Sequence, residues 1–230
     1  MAGSRVVLPN GSIGVSMSSK GIVSSTDCVC CSDEEVRYCN LDSHPDTLSD
    51  DFSGSVNWTA VRDITVANTS GEMVLTEGTG FGVNGRAESP ELSAISDPLS
   101  LVAEIELRQV PSTSVLFEIN DSELGFGTDV NVLIQASATQ YFVGGFAPGL
   151  GTPILGPALP IAPTVGDIWR FEFGFSGVDF EDVTATIKIN GTTYGTRSST
   201  NVPGLNHCGI KASIEITGNC KFDDFSADYS

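Results

Sequence analysis

Ile168-Trp169-Arg170-Phe171-Glu172-Phe173-Gly174-Phe175 decides the fold. Trp169, Phe171, Phe173 and Phe175 fall on every second residue, with Arg170, Glu172 and Gly174 between them. A repeat of two is the signature of an extended strand, whose successive side chains leave opposite faces. One aromatic face and one polar face describe a strand with a core on one side and water on the other.

The same alternation recurs on both sides of this stretch. Val183, Ala185, Ile187 and Ile189 alternate with Thr184, Thr186, Lys188 and Asn190. Asn190-Gly191 follows, a strong short hairpin signal. Leu101, Ala103, Ile105 and Leu107 form a third apolar face, and Ile210, Ala212, Ile214 and Ile216 a fourth. Weaker alternation lies near 56–66, 72–76, 91–95, 114–119, 130–136, 140–146 and 222–229. No segment carries a helical repeat. The predicted fold is all-β, with two antiparallel sheets packed face to face. Composition agrees: Gly, Ser and Thr supply 71 of 230 residues, and charged residues are only 17%. A helical bundle would be richer in Ala, Glu, Lys and Leu.

Acidic residues outnumber basic ones by 29 to 11, for a net charge of −18. That balance excludes a nucleic-acid binder, which needs Lys and Arg to displace phosphate counterions. It also opposes docking on an anionic membrane. No apolar run reaches the roughly 18 residues of a membrane-spanning helix. The longest apolar region, Pro153–Pro163, is broken by Pro157 and Pro160. At the N-terminus Val6-Val7-Leu8 stops at Pro9, short of the roughly 7–15 apolar residues of a secretory signal. Synthesis without that export signal is the expectation.

Two segments depart from the strand rhythm. Residues 1–49 are Ser-rich, hold four of the six cysteines and read as an extended arm. Residues 144–166 hold six glycines and five prolines, which bars a central strand. They also carry Phe146, Leu150, Ile154, Leu155, Leu159 and Ile161. So much apolar surface on a long loop predicts a contact surface.

Two short signatures frame the region 50–230. Asp50-Asp51-Phe52-Ser53-Gly54 with Trp58 opens it, and Lys221-Phe222-Asp223-Asp224-Phe225-Ser226 closes it. Between them, Val165-Gly166-Asp167-Ile168-Trp169-Arg170-Phe171 precedes Ala185-Thr186-Ile187-Lys188-Ile189-Asn190-Gly191. This order resembles the concanavalin-like, laminin-G-like jelly-roll sandwiches, whose early strand pairs with the terminal one. The resemblance implies one sandwich over 50–230, preceded by the anchoring arm 1–49. A module of this kind behind a Cys-containing arm looks like accessory virion proteins of tailed bacteriophages. That implies a non-enzymatic structural protein located in the virion. It would face outward as a head decoration or tail-fibre module and contact other virion proteins and further copies of itself. The alternative is a free-standing, lectin-like module that binds a cell-surface glycan. Neither reading calls for a cofactor.

Glycoside hydrolysis needs two carboxylates flanking the bond. Related glucanases set them on one strand as E-x-D-x-E or E-x-D-x-x-E. Glu104-Ile105-Glu106 and Asp179-Phe180-Glu181-Asp182 are the nearest pieces, and each lacks the third acid. The two histidines, His44 and His207, come without a G-x-S-x-G elbow. The expectation is therefore no enzyme. Calcium would find oxygens where Asp50-Asp51 meets Asp223-Asp224; the plainer reading is acids at strand ends.

The cysteines leave three readings open: disulfides, free thiols, or zinc on Cys28, Cys31, Cys39 and Cys208. If Gly218-Asn219 turns a hairpin, Cys208 and Cys220 lie about 30 Å apart along the ladder at about 3.3 Å per residue. Cys208 is then expected to join Cys28, Cys30, Cys31 or Cys39, with Cys220 a free thiol.

Overall fold

The structure is a computed structural model. It describes residues 4–7, 13–17, 21–22, 27–32, 35–40, 47–78, 85–90, 100–121, 132–146, 153–176, 182–199 and 210–229. Five short strands lie in the first forty residues: β1 (Ser4–Val7), β2 (Ile13–Met17), β3 (Gly21–Ile22), β4 (Asp27–Ser32) and β5 (Glu35–Asn40). The first three form one small sheet, and β4 and β5 form a separate two-stranded one.

The sandwich begins with β6 (Thr47–Asp50), β7 (Thr59–Arg62), β8 (Ile64–Thr69), β9 (Glu72–Glu77) and β10 (Gly85–Glu88). It continues with β11 (Ser100–Gln109), β12 (Ser114–Asp121), β13 (Val132–Ser137), β14 (Tyr141–Phe146) and β15 (Pro153–Leu155). It ends with β16 (Ile168–Ser176), β17 (Asp182–Ile189), β18 (Thr192–Ser199), β19 (Ile210–Thr217) and β20 (Asn219–Tyr229). No helix occurs among the described residues.

One sheet has seven strands in the order β15-β14-β13-β12-β19-β10-β7. The other runs β18-β17-β16-β11-β20-β9-β8, with β6 also paired to β20. The predicted antiparallel jelly-roll sandwich is what the chain forms. The deciding stretch is β16, and all four clear alternations are strands of the expected extent. The reading near 91–95 falls outside the described residues.

The inward sides interlock. Phe117 stacks on Phe171 at 5.2 Å between ring centres, and Trp169 meets Phe222 edge-on at 5.6 Å. These rings are fully or almost fully buried, each contributing about 1.5–3 kcal/mol of hydrophobic stabilisation. An early strand does pair with the last, but it is Thr47–Asp50 and not the expected stretch near Asp51–Trp58, which forms no strand: Asp50 faces Phe225, and Thr47 faces Asp228. β9 occupies the first part of the same edge of β20, where Thr76 faces Asn219 and Met73 faces Phe222.

The Gly218-Asn219 hairpin does not form. β19 pairs with β10 and β12 in one sheet, and β20 with β11 and β9 in the other. The chain crosses between sheets at Gly218, whose φ of +91° suits only glycine. The corner is clamped from β9: Gly218 N–H donates to the Glu77 carboxylate, and Glu77 N–H donates to the Gly218 carbonyl. Crossing lets Ile214 and Ile216 on one side, and Cys220 and Phe222 on the other, enter the same core. The 30 Å ladder argument for the cysteines falls with the hairpin. Gly218→Ala would strain this φ and place a Cβ 2.6 Å from the Ser112 Oγ. Its expected cost is about 1–3 kcal/mol, read as a lower urea midpoint.

The proline-rich segment is partly edge strand. β15 pairs with β14, Ile154 opposite Gly145 and Leu155 opposite Gly144. Leu159 and Ile161 are half-buried against the core, whereas Leu155 is 38% exposed. Leu150 lies outside the described residues.

Candidate functional site

Each sheet has an outer face, and the two differ in where they keep charge. On the eight-stranded sheet, charged side chains form cross-strand ladders in contact with water. Lys188 meets Glu172 at 2.6 Å, Arg170 meets Glu172 at 2.7 Å, and Arg170 meets Glu104 at 3.0 Å. A second ladder joins Arg108 to Glu106, Glu72 and Asp223, and Lys221 to Glu72. The sequence candidates Glu104 and Glu106 are therefore each held by an arginine on a solvated face. Such exposed pairs contribute about 0–1 kcal/mol each. Asp179, Glu181, His44 and His207 lie outside the described residues.

The outer face of the seven-stranded sheet buries its charge. Register places Arg62, Arg86, Glu215, Leu116, Gln135 and Phe142 in one row across six strands. The next row runs Glu88, Ser213, Glu118, Leu133. All turn away from the core, because Ala87, Ile214, Phe117 and Ile134 beside them are its members. Yet Glu118 and Ser213 have no exposed surface, Arg86 has 7% and Glu215 9%.

Arg86 is the hub. Its Nη1 lies 3.2 Å from Glu118 Oε1 and 3.5 Å from Glu215 Oε1, and its Nε is 3.0 Å from Glu88 Oε1. Arg62 Nη2 donates to Glu215 Oε1 at 2.8 Å, and Ser213 Oγ donates to Glu118 Oε1 at 2.7 Å. Lys211 approaches Glu88 at 3.7 Å. Burying ions costs several kcal/mol each, recovered only where geometry and hydrogen bonds are good. A protein that keeps such a cluster beneath one sheet face, and only solvated ladders on the other, marks the first as its candidate site. The two glutamate oxygens, 3.2 and 3.5 Å from one nitrogen, lie at most about 7 Å apart. Paired carboxylates of glycosidases lie about 5–9.5 Å apart.

The sequence reading missed this site. Phe117-Glu118-Ile119 and Ile214-Glu215-Ile216 read like Ile105-Glu106-Leu107, and only strand pairing separates the buried acids from the solvated one.

Other sequence candidates are placed as follows. Asp50, Asp51 and Asp224 do meet, around a pocket of about 480 Å³ that Glu104 and Ser226 also line. Asp50 is occupied by the Phe52 and Asn57 N–H groups. Hydrogen bonds from the Ser53 backbone and side chain hold Asp51 below its ordinary range. No group of three or more metal-ligating side chains is arranged around a cation among the described residues. Cys28 stands opposite Cys39 in the β4–β5 register, and Cys31 stands opposite Val36. Cys220 is a buried free thiol whose Sγ donates to the Gln109 carbonyl at 3.1 Å. Burial pushes that thiol up to about 12. Cys208 lies outside the described residues.

No family model matches the sequence, and no curated protein matches it. Solved structures do match the fold. A double mutant of the alginate lyase Aly36B, in complex with an alginate trisaccharide, superposes with a TM-score of 0.57 at 12% identity. The match covers 82% of this chain and 100% of that one. An endo-β-1,3-glucanase from Pyrococcus furiosus gives 0.53 at 14%, covering 80% and 94%. A laminarinase from Flavobacterium sp. UMI-01 gives 0.52 at 10%, covering 80% and 99%. At these identities the likeness shows the fold alone, a concanavalin-like jelly roll.

These matches overturn the reading of a non-enzymatic virion component. The fold on which that reading stood is shared with a lyase and glucanases, so it argues neither for a virion nor against catalysis. The case against an enzyme also assumed that both acids sit on one strand. Glu118 and Glu215 come from two.

Proposed function

We propose that the protein is a lectin-like carbohydrate binder whose binding face is the outer face of the seven-stranded sheet. The observation that carries this reading is the buried Arg86–Glu118–Glu215 cluster beneath that face. Carboxylates accept paired hydroxyls, guanidinium groups donate to them, and a half-buried ring at Phe142 offers a sugar its apolar face. The row from Arg62 to Phe142 crosses five strand spacings, about 24 Å, room for an extended oligosaccharide. The alginate trisaccharide bound by a protein of the same fold supports a glycan as the ligand class.

Calorimetry against laminarin and alginate oligosaccharides tests this. Arg62→Ala and Phe142→Ala are each expected to weaken binding at least about tenfold, with circular dichroism checking that each variant remains folded. Arg170→Ala, on the other sheet, leaves binding intact. Equal losses from Arg170→Ala, or no binding by the unaltered protein to any member of a glycan array, would sink the proposal.

Hydrolysis is the second reading, resting on the two carboxylates, Glu118 and Glu215, that one guanidinium holds together. Its sign is release of reducing ends from a bound polysaccharide, abolished by Glu215→Gln.

A further inference from the structure

We propose that Cys28 and Cys39 form a cross-strand disulfide that closes the β4–β5 hairpin. Two independent observations carry it. The first is register. In this antiparallel pair Cys28 stands directly opposite Cys39, whereas Cys30 stands opposite Arg37 and Cys31 opposite Val36. Directly opposed residues have Cα atoms about 4.5 or 5.5 Å apart, depending on the hydrogen-bonding class of the pair. Both values fall within the roughly 4.4–6.8 Å that a disulfide spans. The second is isolation. Among the described residues β4 and β5 pair only with each other. A lone two-stranded hairpin is marginal in water, and small units of this kind lean on covalent staples.

The chemistry is thiol–disulfide exchange with a low-molecular-weight disulfide. The thiolate of one cysteine attacks the small disulfide, forms a mixed disulfide and releases one small thiol. The second cysteine attacks the mixed disulfide and releases the other. The protein loses two hydrogens, and the oxidant is reduced to two thiols. The hairpin register holds the second sulfur ready, so the second step is intramolecular.

Peptide mapping of the full chain decides it. The protein is equilibrated in a glutathione redox buffer, alkylated with N-ethylmaleimide, unfolded and cut with trypsin without reduction. Cleavage after Lys20, Arg37 and Arg62 separates Cys39 from the other three arm cysteines. The expected result is peptide 21–37 joined to peptide 38–62, with the remaining arm thiols alkylated. That joined species disappears in Cys28→Ser and in Cys39→Ser, and persists in Cys30→Ser and Cys31→Ser. Peptide 38–62 joined to peptide 198–211, full alkylation of Cys39, or a link that survives Cys28→Ser each overturns the proposal.

Discussion

Arg86→Met is expected to lower the unfolding free energy by about 3–5 kcal/mol, the usual cost of stranding a buried charge. Arg86 joins Glu118, Glu215 and Glu88 from a position 7% exposed. Glu215 keeps Arg62 at 2.8 Å after the change. Glu118 is fully buried against Arg86 and also accepts from Ser213 Oγ at 2.7 Å. Replacing both members, as Arg86→Met with Glu118→Leu, removes the stranded charge and is expected to restore most of the stability. Urea titrations of the two single variants and the double variant read this directly. A cost below about 1 kcal/mol for Arg86→Met would mean that water reaches the cluster. The argument for a functional face would then lose its footing.

How much of this was legible in the sequence follows from what each signal reports. Alternation reports which side of a strand is apolar, so β11, β16, β17 and β19 were readable residue by residue. The opening and closing signatures brought the two ends of the sandwich together, but the pairing strand is Thr47–Asp50, starting three residues upstream of the signature and sharing only Asp50 with it. Alternation does not report which sheet a strand joins. A glycine at positive φ serves a hairpin and a sheet-crossing corner equally well. At Gly218 the choice is made by Glu77, 141 residues away in sequence. The same blindness hid the site. Glu118 and Glu106 each sit between apolar neighbours in a strand, yet one lies beneath a sheet face and the other in a solvated ladder. The cysteines are a third instance. Cys28-x2-Cys31 has knuckle spacing on paper, but both residues lie within one extended strand, where a knuckle needs a turn.

Asp167→Ala is the other change with a large expected effect, again about 3–5 kcal/mol, from losing a buried, multiply bonded carboxylate. Asp167 closes the long loop before β16 and is 5% exposed. Its Oδ2 accepts from the Tyr141 hydroxyl at 2.7 Å and the Thr164 N–H at 2.8 Å. Its Oδ1 accepts from Thr164 Oγ1 and Asn190 Nδ2, both at 2.8 Å. Tyr141 Oη in turn accepts from Trp169 Nε1 at 2.8 Å. One carboxylate thus ties the loop, the β17–β18 turn, β14 and the central tryptophan together. Burial on its own would raise the Asp167 pKa, but the bonds from Asn190, Thr164 and Tyr141 outweigh it and hold the group below its ordinary 3.8. Burial, reinforced by the Asp167 charge, drives the Tyr141 phenol far above its ordinary 10, so it remains a donor throughout. The sign of the pH effect follows. A carboxylate with a folded pKa below its unfolded one adds stability above the unfolded value, and that contribution fades as pH falls through the folded value. The melting-temperature gap between the unaltered protein and Asp167→Asn is therefore expected to be widest near neutrality and to shrink below about pH 4. A gap that stays constant from pH 7 to pH 3 would show that the ionised carboxylate is not what fastens the loop.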